Sequence, residues 1–251
     1  MKNKIAVAIL LTVALAVTGC GSGGSDATEN TTASQEGINS DLKSANESSQ
    51  EVFAMDTYMT VTAYGKNAKK AVDASIEEIK RLDALLSTGD EDSEIAKLNV
   101  NKSATLSEDG GYLVQRGIEL STMTDGAFDI AIYPVMQEWG FPTKDFKVPD
   151  DVTLKELLKL ADVSKIDYDN KSREISFDDA GMEIDLGGIA KGYTSSRIMD
   201  IFKEYDVDSG LVNLGGNVQT YRTKTDGSKW RVAVQSPEDE SQYIGVVDVS
   251  D

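Results

Sequence analysis

The segment EIDLGGIAKGY, residues 183–193, places a carboxylate, a glycine pair and a lysine within seven positions, from Asp185 to Lys191. A Mg²⁺–phosphate complex requires such groups, because the metal takes hard oxygen ligands and a lysine balances phosphate charge. The spacing matches neither G-x-G-x-x-G nor G-x-x-x-x-G-K-[ST], which excludes the Rossmann and P-loop interpretations. These residues alone leave a second interpretation open, in which Asp185 only caps a helix or turn and Lys191 is solvated.

A strand, a turn and a helix are predicted to carry this segment. Residues 182–186 read as a short strand, Gly187-Gly188 as its end and residues 189–205 as an amphipathic helix. Lys191 would then lie in the first helical turn, where the dipole disfavours a cation by about 0.3 to 1 kcal/mol unless an anion binds there. The sequence I-D-L-G-G recurs as V-N-L-G-G at 212–216, which predicts a β-α-β unit with its two glycine turns side by side.

A second candidate group is T-D-G-A-F-D, residues 124–129. Asp125-Gly126 is a turn signal, Phe128 is an aromatic ring expected to be buried or stacked, and Asp129 precedes an apolar run. As structure alone, the segment reads as a helix C-cap followed by a core strand. Its occurrence together with IDLGGIAKG favours a functional site.

The N-terminus predicts a lipoprotein. Lys2 and Lys4 precede an apolar run that ends in V-T-G-C, and Cys20 is the one cysteine of the chain. This resembles a bacterial lipobox, in which Cys20 becomes the lipid-modified first residue. We therefore predict a signal peptide over 1–19, a disordered tether over 20–50 and a folded domain over 51–251, anchored at the extracytoplasmic face of the cell membrane.

Composition excludes several classes of chemistry. The 251 residues contain no histidine, and Cys20 is used as the anchor, which excludes Ser-His and Cys-His catalysis and His-based zinc sites for this chain. Asp and Glu number 43 against 25 Lys and Arg, a net charge of −18 that argues against nucleic acid as a partner. A hydrophobic content of 40% is sufficient for a core.

Periodicity predicts alternating strands and helices, with glycine and proline between them. Ser93 is expected to cap a short helix. The predicted strands are 55–63, 174–177 and 210–214, with strand-like residues after 229, and the predicted helices are 69–86, 112–124 and 152–161.

Five segments, in chain order, resemble the ApbE family of FAD:protein FMN transferases. They are MDTYMTVTAYG, LLSTGDEDSEIAKLN, TDGAFDIAIYPVMQEWGF, IDLGGIAKGY and LVNLGGNVQTY, within residues 52 to 238. The resemblance implies an α/β (α+β) fold, a T-fold-like domain with a mixed sheet and flanking helices. It also implies that the protein holds FAD at a Mg²⁺ site and transfers FMN to a threonine hydroxyl of a target protein, releasing AMP.

The resemblance also assigns site residues by position. It implies that the carbonyl of Gly188 ligates Mg²⁺ and that Met55 packs on the flavin side. Any general base here must be a carboxylate, and we predict Asp185. The residues that the resemblance implies for FAD binding are Met55, Ala127, Phe128, Asp129, Asp185 and Lys191.

The chain departs from the family pattern in two ways. Gly89 stands where many members have an aromatic residue, and family members continue into a His-Ile-Ile-Asp-Pro-like segment with further metal ligands, so we expect the chain to be a C-terminally incomplete fragment. The implied partners are FAD, the membrane, and an extracytoplasmic flavin-accepting protein such as a subunit of a redox-driven ion pump. The alternatives are a flavin-binding or FAD-hydrolysing lipoprotein that modifies no protein, and a solute-binding lipoprotein that serves a transporter.

Overall fold

The computed structural model describes residues 46–239 and 241–250. The predicted signal peptide, Cys20 and the tether up to residue 45 lie outside the described residues. The first strand begins at Glu47, so residues 47–50, which we had placed in the tether, belong to the folded domain. These polar residues gave no apolar signal because they form one edge of a sheet and leave every second side chain exposed.

Nine strands form three sheets within the described ranges. The largest sheet has the order β1-β2-β6-β7, a second has the order β3-β5-β4, and β8 pairs with β9. The strands are β1 (Glu47–Ala54), β2 (Thr57–Tyr64), β3 (Ser103–Thr105), β4 (Ile166–Asp169), β5 (Glu174–Phe177), β6 (Ser209–Leu214), β7 (Asn217–Tyr221), β8 (Trp230–Gln235) and β9 (Tyr243–Val249).

Every described strand pair is antiparallel. The α/β class with flanking helices is confirmed, but the mixed sheet and the β-α-β unit are not found among the described strands. The β-α-β prediction was wrong because residues 182–186 form no strand and lie outside the three sheets. Gly215 and Gly216 instead form the two-residue turn of the β6–β7 hairpin, with φ angles of 62° and 93° that suit glycine.

The helices carry the apolar spacing that the sequence predicted, with some shifted ends. The third helix starts before residue 112 because Ser107 caps it by accepting a hydrogen bond from the Gly110 N–H at 3.1 Å. Ser93 caps its predicted helix in the same way. The helices are α1 (Ala68–Leu86), α2 (Glu94–Asn101), α3 (Glu108–Met123), α4 (Tyr133–Glu138), α5 (Asp151–Leu157) and α6 (Gly187–Glu204).

Residues 130–132, predicted as the start of a core strand, form a 3₁₀ turn that leads into α4. Asp129 initiates this turn by accepting the Ala131 N–H, and Pro134 lies at the start of α4, where its missing N–H costs nothing. The apolar run is buried as expected, but these two end signals favour helical geometry over a strand.

Two clusters of buried side chains form the core. One combines α2, α3, β5 and the segment around Ile184, and the other combines β2, β6 and most of α1. Helices α1 and α6 contribute to both clusters, and Met55 packs against both. These two helices and the β1–β2 turn therefore meet where the predicted site residues lie. Within the described ranges, the helices are too short or too polar to cross a membrane.

Candidate active site

Asp185 is held in place by bonds to its carboxylate and to its backbone. Oδ1 accepts the Gly187 N–H at 2.8 Å and Oδ2 accepts the Thr88 hydroxyl at 3.4 Å, while the backbone N–H donates to the Ile130 carbonyl at 2.8 Å. Burial raises the pKa of the carboxyl, opposed by these hydrogen bonds and by the charge of Lys191. Asp185 thus contacts the beginning of α6, as a capping residue would, and it also has a perturbed pKa typical of a functional carboxylate.

Two side chains, those of Phe128 and Asp185, lie close to the glycine pair 187–188. A Cβ on Gly188 would lie 2.9 Å from Cε2 of Phe128, and a Cβ on Gly187 would lie 2.9 Å from Oδ1 of Asp185. The structure therefore brings the TDGAFD and IDLGG segments together. Packing of the Phe128 ring and the Asp185 carboxylate also explains both glycines without any ligand.

Lys191 is not in the first turn of its helix, contrary to the prediction. Helix α6 begins at Gly187, which makes Lys191 its fifth residue. The dipole effect falls off beyond the first turn, so the position of Lys191 does not by itself indicate a bound anion. Lys191 does line the large cleft described below.

Met55 lies in the turn between β1 and β2 with a strained backbone. Met55 and Asp56 have φ angles of 47° and 58°, which non-glycine residues seldom adopt. The Met55 N–H donates to the Asp83 carboxylate at 2.9 Å, and the Met55 sulfur lies 3.9 Å from the Thr194 hydroxyl of α6. Strained residues held in this way are often part of functional sites.

Asp129 and Ala127 flank Phe128 but differ in their surroundings. The Asp129 carboxylate accepts the backbone N–H groups of Ala131 at 2.7 Å and Val163 at 3.1 Å, so it has a structural role, whereas Ala127 is exposed. The FAD contacts implied for these residues, as for Met55, Phe128, Asp185 and Lys191, stay predictions.

A cleft of about 810 Å³ runs between α3 and α6. Its size lies in the range of small-molecule sites, and its lysine, arginines and tyrosines provide cations and aromatic rings for a ligand with phosphates and flat rings. Asn217, beside the second glycine turn, also lines this cleft, and its Nδ2 is 3.3 Å from the Ser195 hydroxyl of α6. Residues that line the cleft include Gly188, Lys191, Tyr112, Arg116, Tyr193 and Arg197.

The described residues do not by themselves form a metal site. They contain no group of three or more Asp, Glu, His or Cys side chains that could hold a metal ion. One carboxylate, that of Asp185, is compatible with Mg²⁺ bound largely through waters and substrate phosphates, which is its usual mode. Gly188 is the second residue of α6. Ligation of Mg²⁺ by its carbonyl stays a prediction.

Sequence reasoning missed three residues that support the site. Thr88 contacts Asp185, Asp83 holds the Met55 turn, and Asn99 bonds the residue before Asp185. Two of the three, Thr88 and Asn99, lie in the LLSTGDEDSEIAKLN motif. The available signal was a polar residue, Asn99, directly after Leu98 on the buried side of α2.

Known proteins with similar sequences are flavin transferases. An FAD:protein FMN transferase of Klebsiella pneumoniae is 30% identical over 171 residues, which cover 66% of this chain and 52% of that protein. One of Haemophilus influenzae is 26% identical over 186 residues, which cover 71% and 53%. The chain therefore spans about half the length of the curated relatives it matches.

Solved structures agree with the fold. The ApbE protein of Thermotoga maritima superposes with a TM-score of 0.76 at 27% identity, covering 81% of this chain and 68% of that one. The flavin transferase ApbE of Vibrio cholerae gives a TM-score of 0.71 at 20% identity, over 80% and 68%, and supports the fold alone. The family model for the ApbE family matches residues 55–251, which include each described candidate site residue. The chain belongs to the ApbE family.

Proposed function

We propose that this protein transfers FMN from FAD to a threonine hydroxyl of an acceptor protein, with release of AMP and dependence on Mg²⁺. The observation that carries the proposal is the family match over residues 55–251, which includes Asp185, Lys191 and the Phe128 ring that packs against Gly188. Relatives of this chain are FAD:protein FMN transferases, which supports the same reaction.

In this proposal the threonine oxygen attacks the FMN phosphorus. A new P–O bond forms between threonine and the FMN phosphorus, the bond from this phosphorus to the bridging oxygen of the pyrophosphate breaks, and AMP leaves with that bridging oxygen. Asp185 accepts the hydroxyl proton, and its raised pKa makes it a stronger acceptor than an exposed carboxylate. Lys191 offsets negative charge on the pyrophosphate. When bound, Mg²⁺ would neutralise phosphate charge and polarise the phosphoryl oxygens, held in part by the Gly188 carbonyl.

Location and partner follow from the N-terminal sequence and the family. We propose that the mature protein begins at Cys20, carries lipid there and faces the extracytoplasmic side of the cell membrane. The acceptor is then an extracytoplasmic flavin-carrying protein, such as a subunit of a redox-driven ion pump.

Incubation of the full-length protein with FAD, Mg²⁺ and a threonine-bearing acceptor peptide tests the proposal. Flavin fluorescence that stays on the acceptor in a denaturing gel supports transfer, and EDTA should abolish it. Release of AMP and FMN without labelled acceptor would instead support an FAD-hydrolysing protein. Absence of FAD binding would exclude both functions.

A further inference from the structure

The segment that carries Asp185 is held by a side chain where a neighbouring strand would be expected. Asn99 of α2 donates from Nδ2 to the Ile184 carbonyl at 2.9 Å and accepts the Ile184 N–H on Oδ1 at 2.8 Å. One amide side chain thus makes the two bonds that a residue in an adjacent antiparallel strand would make. Asn99 is 4% exposed and Ile184 is fully buried, so water does not compete for these bonds.

The bond to the Ile184 carbonyl also fixes the peptide unit that leads into Asp185. This planar unit contains the carbonyl of Ile184 and the N–H of Asp185. Asn99 holds the carbonyl end, and the Ile130 carbonyl accepts the N–H end at 2.8 Å. With both ends fixed, rotation of the plane is blocked, and the direction in which the Asp185 side chain leaves the backbone is set.

A second contact from the end of α2 supports the same segment. The Lys102 ammonium donates to the Met182 carbonyl at 2.9 Å and lies 3.2 Å from Oε1 of Glu183. Lys102 is partly exposed, whereas Asn99 is buried and bonds the residue directly before Asp185. Asn99 therefore contacts the chain nearer to Asp185 than Lys102 does, and its hydrogen bonds are better shielded from water.

We propose that Asn99 is a positioning residue for flavin transfer, which acts by orienting the peptide unit before Asp185. The proposal rests on the proposed function, because it assumes that Asp185 takes part in FMN transfer. Asparagine suits the position because it offers a donor and an acceptor at once. Aspartate at this position keeps only the acceptor when it is ionised, and leucine keeps neither.

The kinetic test compares Asn99→Leu and Asn99→Asp with Asn101→Leu, an exposed asparagine of the same helix. Because small displacements of catalytic groups cost up to about 100-fold in rate, we expect kcat to fall by about 100-fold in Asn99→Leu, with a smaller change in the KM for FAD. Asn99→Asp should lie between Asn99→Leu and the wild type, and Asn101→Leu should match the wild type. Val212→Ala, in the other core cluster, controls for a general loss of stability.

The split between kcat and the KM for FAD provides a readout that stability alone does not move. Val212→Ala should leave kcat per folded molecule and the KM for FAD at wild-type values, whereas both Asn99 variants should lower kcat per folded molecule. If Asn99→Leu does not fold, Asn99→Asp, which keeps the size of the side chain, decides the question.

Amide hydrogen exchange of residues 182–187 separates this proposal from the proposed function. We expect faster exchange at Ile184 and Asp185 in the Asn99 variants than in Asn101→Leu. A wild-type protein without FMN transfer would refute the proposed function, whatever the exchange rates. Active wild-type protein together with unchanged kcat and unchanged exchange at Ile184 and Asp185 in the Asn99 variants would overturn the positioning role.

Discussion

Two glycines of α6 provide a matched test of the packing at the site. At Gly192 an added Cβ has no neighbour within 4 Å, so Gly192→Ala should raise the free energy of unfolding by about 0.5–1 kcal/mol through helix propensity alone. At Gly188 the same Cβ lies 2.9 Å from the Phe128 ring. The ring must move by about half an ångström to restore ordinary contact, and such overpacking costs about 1–3 kcal/mol.

We therefore expect Gly188→Ala to be less stable than Gly192→Ala by about 1–3 kcal/mol, as measured by urea unfolding of the full-length protein. In a Phe128→Leu background, which shortens the side chain that faces Gly188, Gly188→Ala should lose most of this penalty. Equal stabilisation by both glycine substitutions in the wild-type background would show that Phe128 does not rest on Gly188. The interpretation of the glycine pair as a packing site for Phe128 would then be wrong.

Three further predictions concern Asp185, the Met55 turn and the second glycine turn. Because burial raises the pKa of Asp185, its charge destabilises the fold as pH rises through that pKa. Asp185→Asn should therefore increase the free energy of unfolding more at about pH 7 than at about pH 4. An equal increase at both pH values would contradict the burial argument. Asp83→Ala removes the acceptor for the Met55 N–H and should lower the free energy of unfolding by about 1–2 kcal/mol. It should also weaken FAD binding, measured by fluorescence titration. Unchanged affinity for FAD would show that the Met55 turn does not contribute to flavin binding. Gly215→Ala combines a φ of 62° with a Cβ 2.5 Å from the Thr57 hydroxyl, so thermal unfolding should show a loss above about 1 kcal/mol, and wild-type stability would rule out this turn geometry.

Periodicity in the sequence was enough to predict the helices and strands that bury one apolar face against the core. Helix α1 lies where its apolar stripe predicted it, and β5 matches its predicted bounds, because each buries one face against the core. The polar start of β1 was missed because, among the described strands, it pairs with β2 alone, and backbone pairing leaves no mark on composition. Local pattern is therefore weakest at sheet edges.

The predicted site residues were brought together only in part, and the reason is long-range side-chain bonding. Asp185 packs against Gly187 and Phe128 against Gly188, at the start of α6. The strand predicted for 182–186 is wrong because its partner is the side chain of Asn99, 85 residues away in the chain. No periodicity encodes such a contact, although a buried asparagine on an apolar helix face marks a place where one is needed.

We propose that Asp185 and its neighbours catalyse transfer of FMN to threonine. The most direct measurement is mass spectrometry of a threonine-bearing acceptor peptide after incubation with the full-length protein, FAD and Mg²⁺. We predict a peptide heavier by one FMN less one water, with the modification on threonine and an equal amount of AMP. Asp185→Ala should abolish the product, as should replacement of the acceptor threonine by alanine. AMP release with an unmodified peptide, or full labelling by the Asp185→Ala protein, would contradict this account.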